Sequence, residues 1–202
     1  MNTEIIRLEK AQIHQATETL VDGFKKDPMF QYLLPPTENL KDKISLTFWE
    51  AVLRYCQPLN NVYTTPEIKG VAAWVPPGEF PVKFLRLLQL GLYKIPFQLG
   101  FRRLIKFGSL FSLIEKYHEQ DMHQPHWYLL GLGVSSSCQG QGIGSLLIQP
   151  MLKKADEEGL PCYLETSTER AVRFYQRNGF EILRTGEKPV QFWTMKREPR
   201  SI

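Results

Sequence analysis

Residues 139–145, Gln-Gly-Gln-Gly-Ile-Gly-Ser, follow an apolar run, "WYLLGLGV", with a short polar link and lead directly into a helical pattern. Glycine at that density lets a backbone approach a partner closely, or take dihedrals that a Cβ forbids. A glycine-rich turn between strand and helix points to phosphate chemistry, because the first N–H groups of a helix lack partners and carry partial positive charge. Spacing excludes two familiar phosphate loops. The dinucleotide fingerprint needs G-x-G-x-x-G, whereas these glycines stand at 140, 142 and 144, and position 145 is Ser. The acid nearest the required offset, Glu165, comes near the end of its strand. The nucleoside-triphosphate loop needs Gly-Lys-Ser/Thr, and this stretch has no lysine. What remains is Q-x-x-G-x-G, from Gln139 through Gly142 to Gly144.

Other reactive side chains are sparse. Cys56, Cys138 and Cys162 have no metal-ligand spacing and leave one over, so free thiols in a reducing cytoplasm are expected. His118, His123 and His126 precede a strand without zinc spacing and read as surface or substrate-lining residues, so no metal is expected. The N-terminal "MNTEIIRLEK" offers no apolar signal region, and no apolar run approaches the roughly 18 residues that span a bilayer. The expected location is cytoplasmic. Net charge is +4, yet residues 80–114 alone hold six basic residues (Lys83, Arg86, Lys94, Arg102, Arg103, Lys106) and no acid. Six charges interleaved with phenylalanines at helical intervals are too few to suggest nucleic-acid binding. Contact with a membrane surface through this stretch stays open.

These residues need a scaffold. Hydrophobic residues make up 43% of the 202-residue chain, enough to bury one ordinary core, and one domain over 1–202 is expected. Helical spacing appears over "AQIHQATETLVDGFKKD", ended by Asp27-Pro28, and over "LKDKISLTFWEAVLRYCQ". The acid-free stretch reads as two or three short helices broken near Gly91, Pro96 and Gly100. Helices follow at "GIGSLLIQPMLKKADEEG" and over 168–178, where Ala171, Phe174, Tyr175 and Asn178 share a face. Strands are expected at "IIRLEK", "NNVYTT", "KGVAAWV", "HWYLLGLGV", "CYLETS", "FEILRTG" and "VQFWTMK". The interleaving gives an α/β or α+β sheet, with a strand–helix–strand crossover in the C-terminal half.

The loop, its preceding strand and the later "RFYQRNGF" together resemble the GNAT superfamily of acetyl-coenzyme A-dependent N-acetyltransferases. Within it, "GVAAWVPPG", "WYLLGLGVSSSCQGQGIGS", "CYLETSTERAVRFYQRNGF" and "FWTMKR" resemble the puromycin N-acetyltransferase-like branch. The resemblance implies a mixed, mostly antiparallel sheet of about six to seven strands flanked by helices and splayed between its fourth and fifth strands. It implies that Gly140, Gly142 and Gly144, with Gln141, Ile143 and Ser145, turn main-chain N–H groups to the pyrophosphate of coenzyme A. Gln139 would brace the loop or reach a phosphate. Leu132 and Val134 would pair through their backbones with the pantetheine arm.

Tyr175 matches the family tyrosine that meets the cofactor and protonates the leaving sulfur, although helical spacing alone reads it as core. The fourth strand carries no Asp or Glu, so a family base placed there is missing. Glu165 is the candidate base; it could equally face solvent or pair with an arginine, and a water relay would serve as well. Ala171 stands where relatives often have an Asn that holds the cofactor arm. The implied function is acetyl transfer from acetyl-CoA, as cosubstrate, to a primary amine of a small-molecule acceptor, by direct attack in a ternary complex, with residues 80–126 walling the acceptor pocket. The alternative is a non-catalytic coenzyme A-binding sensor or interaction protein, favoured only by the missing strand acid.

Overall fold

β3, Gly70–Val75, is buried along its whole length, as "GVAAWV" dictates, and the sheet grows outward from it. The computed structural model describes residues 3–200. Its seven strands are β1 (Ile6–Arg7), β2 (Val62–Thr64), β3, β4 (Trp127–Val134), β5 (Cys162–Thr166), β6 (Glu181–Gly186) and β7 (Phe192–Arg197). They lie in the order β1-β2-β3-β4-β5-β7-β6. Every neighbouring pair is antiparallel except β4–β5. A parallel pair needs a crossover, which α7 (Ile143–Glu158) supplies. The helix continues through Pro150.

β4 and β5 diverge almost at once. They pair only at Trp127–Cys162 and Tyr128–Tyr163, after which β4 runs on to Val134 and β5 to Thr166 unpaired with each other. On β4's other edge the register slips. Trp74 faces Leu129 but Ala73 faces Gly131, so Leu130 is an extra residue, a bulge that bends the strand. This is the splay that the family resemblance implied.

Each face of the sheet carries its own core. On one face Leu147, Ile148 and Met151 of α7 pack on Trp74, Leu129, Leu164 and Met195, with Val172 and Tyr175 of α8 (Glu169–Arg177). On the other, α1 (Ile13–Phe24) and α3 (Glu38–Cys56) bury Leu20, Trp49, Val52, Leu53 and Tyr55 against Val71, Ala73, Val75, Tyr128 and Tyr163. A third cluster joins Ile44 and Ala51 of α3 to Leu92, Ile95 and Leu99.

Three expectations are corrected or extended. Asp27-Pro28 does end α1, but it also starts α2 (Pro28–Leu33): the Asp27 carboxylate accepts from the N–H groups of Met29 and Phe30, and Pro28 occupies the first turn, where its missing N–H costs nothing. The acid-free stretch holds α4 (Phe84–Gln89) and α5 (Ile95–Leu99), then enters a 21-residue α6 (Phe101–Asp121). Pro96 opens α5 rather than breaking it, for the same reason. The inward face of α8 also includes Val172. Among the described residues, seven of the ten exposed large hydrophobic side chains fall between Phe84 and Phe111. Among the described residues no helix is long and apolar enough to cross a membrane.

Candidate functional site

The open end of β4 is shaped by its alternation. Trp74 gives its N–H to Asn61 on the β2 side, so Ala73 and Val71 turn toward β4, opposite Gly131 and Gly133. Leu132 and Val134 therefore turn their main-chain groups away from β3, into the gap. Helix α1 crosses this end closely: a Cβ on Gly133 would lie 2.8 Å from Leu20, and one on Gly23 3.1 Å from both N and O of Val134. Small residues here let helix and strand touch.

Beyond Val134 the chain is pinned on two sides. Asp22 of α1 accepts from the Ser135 hydroxyl at 2.9 Å, the Ser136 N–H at 2.6 Å and the Ser136 hydroxyl at 3.0 Å. Burial opposes ionisation of Asp22, but these donors, with Lys25 nearby, outweigh it and hold its pKa below the ordinary 3.8. On the other side Gln139 donates to the Val134 carbonyl at 3.1 Å and accepts from Arg170 of α8 at 3.0 Å. Gln139 thus braces the loop, and it engages one of the four main-chain groups offered to the gap.

Gly140 and Gly142 both have φ of +80°, and a Cβ at either would meet nothing within 4 Å, so it is dihedral angle and not crowding that requires glycine. Gly144 is different. It lies inside α7 with ordinary φ, and a Cβ there would sit 3.3 Å from the Phe174 ring, so its smallness lets α8 dock on the first turn of α7. The first main-chain bond of α7 runs from Leu146 N–H to Gly142 O. The N–H groups of Ile143, Gly144 and Ser145 precede that bond, no side chain caps the helix, and no acid lies in its first turn. Such an end accommodates phosphate oxygens. Gln141 is exposed and its amide reaches only the Ser137 carbonyl, at 3.4 Å. A cavity of about 390 Å³ on the α1 side of the loop is lined by Glu18, Asp22 and Glu67 against Lys69, a charge balance unsuited to phosphate.

Tyr175 is buried on α8, in the core that α7 also packs into. Burial, and then the charge of Asp27, push its phenol pKa well up, so it stays protonated. Asp27, itself raised by burial, accepts a very short hydrogen bond from the Ser167 hydroxyl just beyond β5. That bond ties the start of α2 to the far wall of the gap. Ala171 gives its N–H to the Thr168 hydroxyl, the N-cap of α8. Arg173 pairs with Glu169 at 3.2 Å on the exposed face.

Glu165 neither faces solvent nor pairs with an arginine. Its side chain is 7% exposed and points to the α1 and α6 side of the sheet. Oε2 accepts from the Tyr128 hydroxyl at 2.8 Å, and Oε1 lies 3.5 Å from Nδ1 of His118, near the end of α6. His118 Nε2 is 2.7 Å from His126 Nε2, and His126 Nδ1 is 2.8 Å from the Gln124 carbonyl. Phe80 stacks on His118 with ring centroids 3.6 Å apart. Although β4 carries no acid, its Tyr128 holds one from β5 beside the mouth of the gap. Of the two readings left open for them, surface or substrate-lining, burial removes the first for His118 and His126, whereas His123 is exposed. The sequence offers both residues but not their contact: they sit eight positions apart, across a turn, with no local pattern to signal that the rings meet.

The arrangement has known relatives. The Acetyltransferase (GNAT) family matches residues 101–180. A Schizosaccharomyces pombe protein named an uncharacterized N-acetyltransferase (C550.08) is 30% identical over 207 residues, covering 96% of this chain and 83% of that one. Among solved structures, a Corynebacterium glutamicum histone acetyltransferase HPA2 and related acetyltransferase superposes with a TM-score of 0.68 at 23% identity, over 100% of this chain and 99% of that one. Arylalkylamine N-acetyltransferase 2 of Aedes aegypti does so with a TM-score of 0.63 at 17% identity, over 99% and 100%. The structures share the fold, and the sequence relative carries the kinship: the chain belongs to the GNAT acetyltransferase family, acyltransferases whose cosubstrate is acetyl-CoA.

Proposed function

We propose that this chain, acting as one domain over residues 1–202, transfers an acetyl group from acetyl-CoA to a primary amine of a small molecule, by direct attack within a ternary complex. One observation carries the reading: the β4–β5 gap has an uncapped, glycine-turned helix end on one side and a buried carboxylate, Glu165, on the other. Ile143, Gly144 and Ser145, with Gly140, Gln141 and Gly142, bind the pyrophosphate through main-chain N–H groups. Leu132 and Val134 line up the pantetheine arm by the main-chain groups that Gln139 leaves free, and Arg170, held by Gln139, adds charge beside the phosphates. Bound acetyl-CoA supplies the thioester carbonyl and a thiol leaving group.

An alkylammonium has a pKa of about 10, so a group in the site must take its proton at neutral pH. Glu165 is that base. Tyr175 holds a proton at its hydroxyl for the sulfur and, being raised by burial, gives it up only as thiolate character develops. The sensor alternative rested on the missing strand acid. Glu165, bonded to Tyr128 of that strand, supports the enzymatic reading over it.

Relatives of the same fold named arylalkylamine and polyamine N-acetyltransferases support an amine acceptor. The test is coenzyme A release from acetyl-CoA with tryptamine, phenethylamine, spermidine, agmatine, aminonucleosides, amino acids and peptides. At least one amine is expected to release thiol, and Tyr175→Phe to slow it. Cofactor binding with no thiol release from any amine would overturn the enzymatic reading.

A further inference from the structure

Between Glu165 and the Gln124 carbonyl lie three contacts and two imidazole rings. Each contact joins two lone-pair atoms and needs one proton to become a hydrogen bond. The Gln124 carbonyl cannot donate, so His126 carries its proton on Nδ1. Burial lowers the His126 pKa, and the neighbouring His118 and Lys196 lower it further, so this ring stays neutral and its Nε2 is an acceptor. His118 must then donate from Nε2 across 2.7 Å. That leaves the His118 Nδ1 lone pair facing Glu165 Oε1 at 3.5 Å, both atoms buried and without a hydrogen-bond partner. Two short contacts and one long one are what two protons in three places produce.

We infer that this unfilled place is the proton acceptor of the reaction: Glu165 and His118 take up the amine's proton as one unit, and His126 and the Gln124 carbonyl fix its polarity. The inference rests on Glu165 being the base. The ammonium N–H bond breaks, its electron pair stays on nitrogen, and a lone pair of Glu165 Oε1 forms the new O–H bond, shared with His118 Nδ1. Of the two protons that nitrogen loses in a turnover, one replaces the proton Tyr175 gives to sulfur. The other fills the Glu165–His118 space and passes to solvent. Filling it satisfies every member of the chain, so proton uptake removes two unsatisfied buried atoms. Glu165 is the catalytic residue; His118 and His126 act through it as positioning residues.

The other titratable groups around this space are paired or hold their protons. Tyr128 donates to Oε2 and stays protonated, its pKa pushed far up by burial and then by the Glu165 charge. The Tyr163 ring lies 4.1 Å from that of His118, and its hydroxyl is 3.4 Å from Asp121. Arg184 neutralises Asp121 at 2.8 Å, and Thr194 donates to it. Lys196 of β7 acts on His126, and Cys56 of α3 is a neutral thiol pushed up to about 12 by burial.

The test uses the full chain with ¹³C-labelled glutamate and ¹⁵N-labelled histidine, whose four rings are followed by NMR from pH 5 to 9. At the alkaline end His126 is expected as the Nδ1–H tautomer and His118 as the Nε2–H tautomer. On acidification His118 Nδ1 and the Glu165 carboxyl carbon should move with one midpoint, and Glu165→Gln should abolish the His118 step. That midpoint should match the acid limb of kcat/KM measured with acetyl-CoA and either tryptamine or spermidine, whichever releases more thiol. His118→Phe, which keeps the ring stacked on Phe80, should shift that limb and lower kcat/KM at least tenfold. An Nδ1–H tautomer for His118, a His118 step unaffected by Glu165→Gln, or an unmoved acid limb would overturn the inference. Should His118→Phe fail to fold, the tautomers and the Glu165→Gln spectrum decide alone. If Glu165→Gln keeps full turnover, the base assignment itself fails. If it loses turnover while His118 titrates regardless, only the shared proton fails.

Discussion

The two sides of the β4–β5 gap are built by different means. The side toward α7 is a main-chain site: three free N–H groups, two glycines with φ of +80° and a strand edge, with no charged side chain in the loop itself. The opposite side is made of side chains from α6, the turn before β4, β4 and β5, brought together only by the fold. A group common to every turnover can be held by backbone, whose geometry a short glycine pattern encodes. Proton transfer needs titratable atoms at set distances, and several elements must supply them. Binding and chemistry should therefore be separable by mutation.

The largest separation is expected at Glu165. Glu165→Gln keeps the bond from Tyr128 but cannot take a proton, and turnover should fall by about 10²- to 10⁴-fold, the usual worth of general acid–base catalysis. Thiol release at saturating acetyl-CoA checks it. Tyr175→Phe stands between the two sides. It leaves the α8 core filled, so kcat should drop by roughly one to three decades with little change in cofactor affinity, as steady-state and binding measurements together would show.

On the main-chain side, Gly142→Val forces a branched residue into a left-handed dihedral at a cost of about 1–2 kcal/mol, so acetyl-CoA should bind about 5- to 30-fold more weakly while kcat at saturation is kept. Calorimetry reads that directly. The smallest effect is expected at Asp22, which only anchors the loop. Asp22→Asn keeps the shape of the side chain but loses the charge that its donors favour, and acetyl-CoA affinity should fall a few-fold at neutral pH. Because the folded pKa of Asp22 is depressed, its contribution is complete above pH 3.8 and is lost as pH falls through the folded value. A thermal-melt comparison of the two proteins should converge there.

This contrast also explains what could be read before the structure was known. The strands, the crossover and the loop follow from local patterns: alternation, helical spacing, and glycines whose positive φ Gly140 and Gly142 display. Gly144 belongs to the same pattern but serves packing against Phe174, because a glycine pattern does not say which glycine needs its dihedral and which its smallness. Asp27-Pro28 was legible as a helix end but not as the start of α2, since an N-cap and a terminator share the same residues. The two histidines were legible as residues, but their pairing was not. His118 lies near the end of one long helix and His126 just before β4, and only the packing of α6 against the sheet, with Phe80 laid on the ring, brings them to Glu165.

The most direct test of this division of labour is to titrate acetyl-CoA calorimetrically into Glu165→Gln and Gly142→Val and to measure thiol release from both at cofactor saturation. The expected result is a crossed pattern: Glu165→Gln binds as the unaltered chain does but scarcely turns over, and Gly142→Val binds weakly yet turns over normally once saturated. Parallel loss of binding and turnover in both proteins, or full turnover by Glu165→Gln, would contradict it.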